Sequence, residues 1–61
     1  MIKMNFKDQN GTPLKKGDFV LYDQMVMEVG DLRKDRVILC DKDGSEYTLF
    51  FTNLTKRLNE D

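Results

Sequence analysis

The stretch that decides the fold is residues 17–58, which begins with GDFVLY at 17–22 and turns sharply at DKDG, residues 41–44. Short apolar runs alternate here with turn residues, and no segment keeps a helical period for more than two turns. The Asp43-Gly44 pair between two such runs is a strong hairpin signal, because both residue types tolerate the positive φ angles of a tight turn. The pattern predicts an all-β domain.

The individual strands follow from a two-residue alternation and from the turn residues between them. They are predicted at residues 19–22, 25–29, 36–41, 46–51 and 56–58. Polar connections are expected at 23–24 and 30–35, and a single 3₁₀ turn at 52–55. An extra N-terminal strand is predicted before residue 8, where polar residues alternate with Ile2, Met4 and Phe6.

The chain of 61 residues makes one domain, near the lower size limit for folding without disulfides or metals. It divides into an N-terminal strand and turn, a core and a frayed tail, at residues 1–16, 17–58 and 59–61. The longest apolar run, residues 37–40, is far below the roughly 20 residues that span a bilayer. No signal peptide is visible, so the cytoplasm is the expected compartment.

Catalytic chemistry is poorly represented in the composition. Cys40 is the single cysteine and the chain has no histidine, which argues against a disulfide, an activated thiol and a zinc site. The spacing of Asp41, Asp43 and Glu46 lacks the twelve-residue run of ligands of a calcium loop. We therefore expect no enzyme activity, no catalytic residues, no metal and no cofactor.

The order of these elements, with GDFV at 17–20 and DKDG at 41–44, carries a resemblance to a known fold. It resembles an SH3-like barrel of the Tudor/KOW type, which implies five strands, an extra N-terminal strand and a 3₁₀ turn before the last strand. The DQNG turn at 8–11 with GDFV at 17–20 is also similar to small phage and prophage accessory proteins of the YopX type. These resemblances imply a non-enzymatic binding module that acts through protein–protein contact and modulates a host complex.

Strand parity predicts more apolar side chains than one barrel interior needs. The predicted inward set is Val20, Tyr22, Met25, Met27, Val29, Val37, Leu39, Leu49 and Phe51. The outward set is Phe19, Leu21, Val26, Ile38, Cys40 and Phe50, which the N-terminal strand, Leu54 or a partner would cover. A large uncovered apolar patch is typical of a protein interface or a dimer contact. The proposed partner-binding residues are Phe19, Leu21, Ile38 and Phe50.

Nucleic-acid binding is the alternative function. Its candidate residues are Arg33, Lys34 and Arg36 in the 33–36 loop, joined by Lys56 and Arg57. Such cations would contact phosphates, with Tyr22 or Phe50 as a stacking platform for bases. The net charge of -1 and the four acidic residues within 17–31 oppose this interpretation.

Overall fold

The chain folds into one antiparallel sheet whose strands follow one another as a meander. The computed structural model describes residues 6–58, so the predicted strand residues Ile2 and Met4 and the tail at 59–61 lie outside the described residues. The strands are β1 Phe19–Tyr22, β2 Met25–Leu32, β3 Val37–Cys40, β4 Glu46–Leu49 and β5 Lys56–Arg57. The predicted all-β class and the five strands after residue 17 are confirmed.

The sheet is open within residues 6–58. Its strand order is β4-β3-β2-β1-β5, so β4 and β5 are the two edges and do not pair with each other. A closed barrel would require that pairing. The predicted 3₁₀ turn is also not found. Residues 52–55 make one hydrogen-bonded turn, in which the Thr55 N–H donates to the Thr52 carbonyl over 3.0 Å, before β5 begins.

β2 extends three residues beyond its predicted end at Val29, into the segment expected to be a loop. The reason is a β-bulge at Gly30, where the register shifts between the pair Val29–Leu39 and the pair Asp31–Ile38. A Cβ added at Gly30 would lie 2.8 Å from the Sγ of Cys40, so glycine permits this close approach. The extra residue reverses the alternation.

That reversal has a consequence for the core. Leu32, rather than Asp31, packs against the buried cluster. The connection to β3 is therefore confined to residues 33–36. The predicted loop at 30–35 is wrong at its start because strand alternation carries no information about a bulge.

The hydrophobic core is built from the inner face of β1–β3 and from the segment before β1. Its buried residues are Phe6, Leu14, Val20, Met27, Val29, Val37 and Leu39, with Tyr22, Leu32 and Leu49 packed against them. The inward prediction was wrong for Met25 and Phe51, both of which are exposed. Phe51 lies beyond the end of β4 and so escapes strand alternation, whereas Met25 is the first residue after the β1–β2 turn.

Candidate functional site

A groove of about 800 Å³ lies beside the edge strand β4 and the segment that follows it. Its lining includes Lys7, Tyr22, Leu49, Phe50, Phe51 and Leu54. We call this feature the β4 groove. It is formed because β4 ends at Leu49, after which the chain bends at residue 50 and turns at 53–54.

Three large apolar side chains along the β4 groove face solvent. The exposed fractions are 54% for Phe50, 80% for Phe51 and 72% for Leu54. Single exposed apolar residues are ordinary on a protein surface, but a contiguous group marks an interaction site or an aggregation hazard. Within residues 6–58, the β4 groove therefore contains the two most exposed large apolar side chains, those of Phe51 and Leu54.

Two buried threonines hold the backbone of this segment in place. Thr52 donates its hydroxyl to the carbonyl of Lys7 over 2.6 Å, and Thr55 donates its hydroxyl to the carbonyl of Thr52 over 2.6 Å. The backbone N–H of Gln9 donates to the Thr55 carbonyl over 2.8 Å. Because these hydrogen bonds fix the backbone beside Phe51, the exposure of its side chain is a property of the folded structure. The sequence predicted a turn at 52–55 but not its contact with the N-terminal segment.

The carboxylate of Asp8 adds to the hydrogen bonds that hold this backbone, which together we call the frame of the β4 groove. Its Oδ1 accepts hydrogen bonds from the backbone N–H groups of Asn10 and Thr12, and its Oδ2 accepts one from the backbone N–H of Arg57, over 2.8–3.0 Å. Burial alone would raise the pKa of the Asp8 carboxyl, but the three donated hydrogen bonds together with the Arg57 charge lower that pKa below its usual value. Asp8 therefore ties the N-terminal turn to β5.

A second carboxylate ties the same strand to the start of β1. The Nε of Arg57 lies 2.9 Å from Oδ2 of Asp18, and the two side chains are only 12% and 10% exposed. The same carboxylate oxygen accepts the backbone N–H of Lys15 over 2.8 Å. Arg57, a candidate phosphate contact in the sequence analysis, thus has a structural partner inside the fold.

The four predicted partner-binding residues occupy three separate places, two on the outer face of the sheet and one in the β4 groove. Phe19 and Leu21 lie on β1, where Leu21 pairs with the exposed Val26 of β2. Ile38 is half-buried on β3. Because β2 lies between β1 and β3, these groups are about 10 Å apart. Phe50 instead lines the β4 groove.

The predicted phosphate-binding cations are also dispersed. Arg33 pairs with Asp31 at 3.1 Å and Arg36 with Asp35 at 3.0 Å, both on the exposed surface. The hydrogen bond from Arg36 lowers the pKa of the Asp35 carboxyl. Lys34 shares their loop, whereas Lys56 lies on β5, an edge strand three positions from β3 in the sheet.

The guanidinium of Arg36 has a second contact, which connects the loop to the β4 groove. Its Cζ lies 5.8 Å from the centroid of the Phe50 ring, within the range of a cation–π interaction. The cation therefore lies above an aromatic side chain that lines the groove.

Metal-binding clusters and membrane-spanning helices are both absent from residues 6–58. Within residues 6–58, no group of three or more His, Cys, Asp or Glu side chains has an arrangement that could hold a metal ion. The same part of the chain contains no helix of the length and apolarity needed to cross a membrane. Comparisons with protein-family models, with curated proteins and with solved structures found no match to this chain.

Proposed function

We propose that this protein is a non-enzymatic binding module that acts through protein–protein contact at the β4 groove. The observation that carries the proposal is the group Phe50, Phe51 and Leu54, exposed along one groove on a hydrogen-bonded backbone. Aromatic side chains dominate the energy of protein interfaces when a partner desolvates them. A fixed backbone also lowers the conformational entropy lost on binding.

The composition of the β4 groove favours a protein partner over a small polar substrate. Among the residues that line it, only Lys7 is charged, and the other polar groups are two threonines, an asparagine and the hydroxyl of Tyr22. General acid–base or nucleophilic chemistry needs a titratable pair in hydrogen-bonding reach. The groove supplies apolar contact area with few polar groups, as an interface core does.

We also propose a more specific fold and a biological setting for this protein. A five-stranded meander with its last strand beside its first supports an SH3-like arrangement, here with an open edge between β4 and β5. The similarity of the DQNG and GDFV segments to small phage and prophage accessory proteins supports a role in modulating a host complex. A cytoplasmic location is part of the same proposal.

The test compares two exposed apolar sites of equal accessibility. Phe50 is 54% exposed in the β4 groove and Val26 is 55% exposed on β2, beside Leu21. Tagged wild-type protein, Phe50→Asp and Val26→Asp are used for affinity capture from nuclease-treated host lysate, after circular dichroism has verified that each is folded. Loss of the captured protein with Phe50→Asp alone supports the groove. Loss with Val26→Asp alone assigns the contact to the Phe19 and Leu21 side instead.

Nucleic-acid binding remains the second candidate, and one observation favours it. Arg36 above Phe50 and Lys7 in the groove place cations beside exposed rings, as in single-strand binding sites. This function predicts retention of the protein on a single-stranded oligonucleotide column that falls steeply with salt. The triple variant Arg33→Ala, Lys34→Ala, Arg36→Ala should then elute earlier. Absence of retention at about 50 mM salt rejects this function.

A further inference from the structure

We infer that the β4 groove takes an extended protein segment that adds to the sheet beside β4 and carries a carboxylate next to alternating apolar side chains. The inference rests on the proposed function and names the chemistry of its partner. It is carried by three observations, namely an open strand edge, a groove that continues from that edge, and an exposed lysine as the only charged residue in the groove lining.

The open edge is β4. All four of its residues pair with β3, from Glu46 opposite Cys40 to Leu49 opposite Val37. On its other side β4 has no strand partner within residues 6–58. The backbone N–H and C=O groups on such an edge are a template for an added strand, and β-strand addition is a common mode of peptide recognition.

The β4 groove continues from this edge. Thr48 and Leu49 belong to β4 and also line the groove, which then passes to Phe50, Phe51 and Leu54. A strand added about 4.8 Å from β4 would direct every second side chain towards these apolar groups. A helix in the same place would leave the edge N–H and C=O groups of β4 without partners, so an extended segment fits both features.

The charge in the groove lining indicates which charge a partner segment should carry. Lys7 is exposed and is the only charged residue in the groove lining. Arg36 lies above Phe50, but Asp35 already compensates its charge. No carboxylate lines the groove. A carboxylate on the partner would therefore meet Lys7, whereas a lysine there would be repelled by it.

The same charge argues against a second copy of this chain as the occupant. In a two-fold symmetric contact the same patch faces itself. Because no carboxylate lines the groove, such a contact would leave Lys7 of each copy without an acidic partner from the groove. An acidic segment from a different protein supplies that partner.

The experiment is a selection of random linear peptides from a displayed library, carried out in parallel on four immobilised proteins. These are the wild type and the variants Lys7→Glu, Phe51→Asp and Val26→Asp, each of which changes an exposed side chain. With the wild type we expect enriched peptides with apolar residues at every second position and with Asp or Glu among them. Lys7→Glu should enrich Lys or Arg in their place, and Val26→Asp should select as the wild type does.

Binding of one enriched peptide then tests the strand geometry. Methylation of the backbone nitrogens that face β4 should weaken binding by about tenfold, because it removes N–H donors to the edge strand, whereas methylation of the outward-facing nitrogens should have a smaller effect. Exchange of its acidic residue for Lys should weaken binding several-fold, the scale of a surface ion pair.

The outcomes separate this inference from the proposed function. In one outcome, Phe51→Asp abolishes enrichment but the wild-type peptides show helical spacing. In another, Phe51→Asp abolishes enrichment but Lys7→Glu selects the same charges as the wild type. Either result overturns the acidic strand but leaves a protein-binding groove. Equal enrichment on Phe51→Asp and the wild type rejects the groove itself. Sedimentation shows whether the protein self-associates. Self-association of the wild type that is lost in Phe51→Asp would make a second copy the occupant and overturn the inference.

Discussion

Two turns of this protein have nearly the same sequence, DQNGT at residues 8–12 and DKDGS at 41–45, and the same backbone hydrogen bonds. In each, the N–H of the first residue donates to the carbonyl of the fifth, over 2.9 Å at Asp8 and 3.0 Å at Asp41. In each, Oδ1 of the aspartate accepts the N–H groups of the third and fifth residues. The glycines match as well, with φ of +83° at Gly11 and +85° at Gly44.

The two turns differ in what the second carboxylate oxygen contacts. Asp8 is 5% exposed and its Oδ2 accepts the backbone N–H of Arg57, whereas Oδ2 of Asp41 accepts the hydroxyl of Tyr47 on the protein surface. The negative charge of Asp41 and this hydrogen bond raise the pKa of Tyr47. Local sequence therefore determines the shape of a turn, but the surrounding fold determines how much the turn contributes to stability.

The largest expected difference between the turns is in the variants Asp8→Ala and Asp41→Ala. Asp8→Ala leaves three backbone N–H groups without their acceptor, one of them on β5. We expect this variant to lower the free energy of unfolding by about 3 kcal/mol. Asp41→Ala breaks bonds that water can replace, and we expect a loss of about 1 kcal/mol. Urea denaturation measures both values. Equal losses would contradict the distinction.

The Asp8 turn should also give the protein an acid-sensitive stability. The pKa of Asp8 is lower in the folded chain, so its contribution is present above the pKa of the unfolded chain, about 4, and is lost as the pH falls through the folded pKa. Asp8→Asn should therefore destabilise the protein at pH 7 and have a smaller effect at pH 2. Thermal melts of both proteins across this range provide the measurement. A difference that is unchanged at pH 2 would reject this role for the carboxylate.

The glycines should behave alike where the aspartates do not. A Cβ at Gly11 or Gly44 meets nothing within 4 Å, so only the left-handed backbone opposes a side chain there. We expect Gly11→Ala and Gly44→Ala each to lower the free energy of unfolding by about 1 kcal/mol. Chemical denaturation of both variants is the check. A much larger loss at Gly11 would show that burial affects the turn backbone as well as the carboxylate.

A third turn, between β1 and β2, should respond least and in the opposite direction. Asp23 and Gln24 have φ of +51° and +65°, the two positive angles of a type I′ turn, yet neither is glycine. Gln24→Gly relieves the steric penalty and should stabilise the protein by about 0.5 kcal/mol. A rise in Tm checks this, with Gln24→Ala as the control that should bring no gain.

The success of sequence reasoning here depends on how far apart the interacting residues are in the chain. The turn at Asp43-Gly44 and the inward side chains Val20, Val37 and Leu39 were predicted, because neighbouring residues carry that information. The bulge at Gly30 was missed, since it depends on the approach of Cys40 from another strand.

The candidate site was predicted less well for the same reason. Phe50 was named, but Phe51 was assigned to the core and Lys7 was not considered. The contact from Thr52 to Lys7 spans 45 residues and that from Arg57 to Asp8 spans 49. No local pattern announces such contacts, so the frame of the β4 groove becomes visible only in three dimensions.

The bond from Asp8 to the backbone of Arg57 has a consequence for the order of events during synthesis. The strands β1 to β4 pair between neighbours, and each hairpin can form soon after its second strand has left the ribosome. The link to Asp8 must wait until residue 57 has emerged, and it closes a loop of almost the whole chain. The sheet is thus available early, whereas the frame that presents the exposed phenylalanines is completed last.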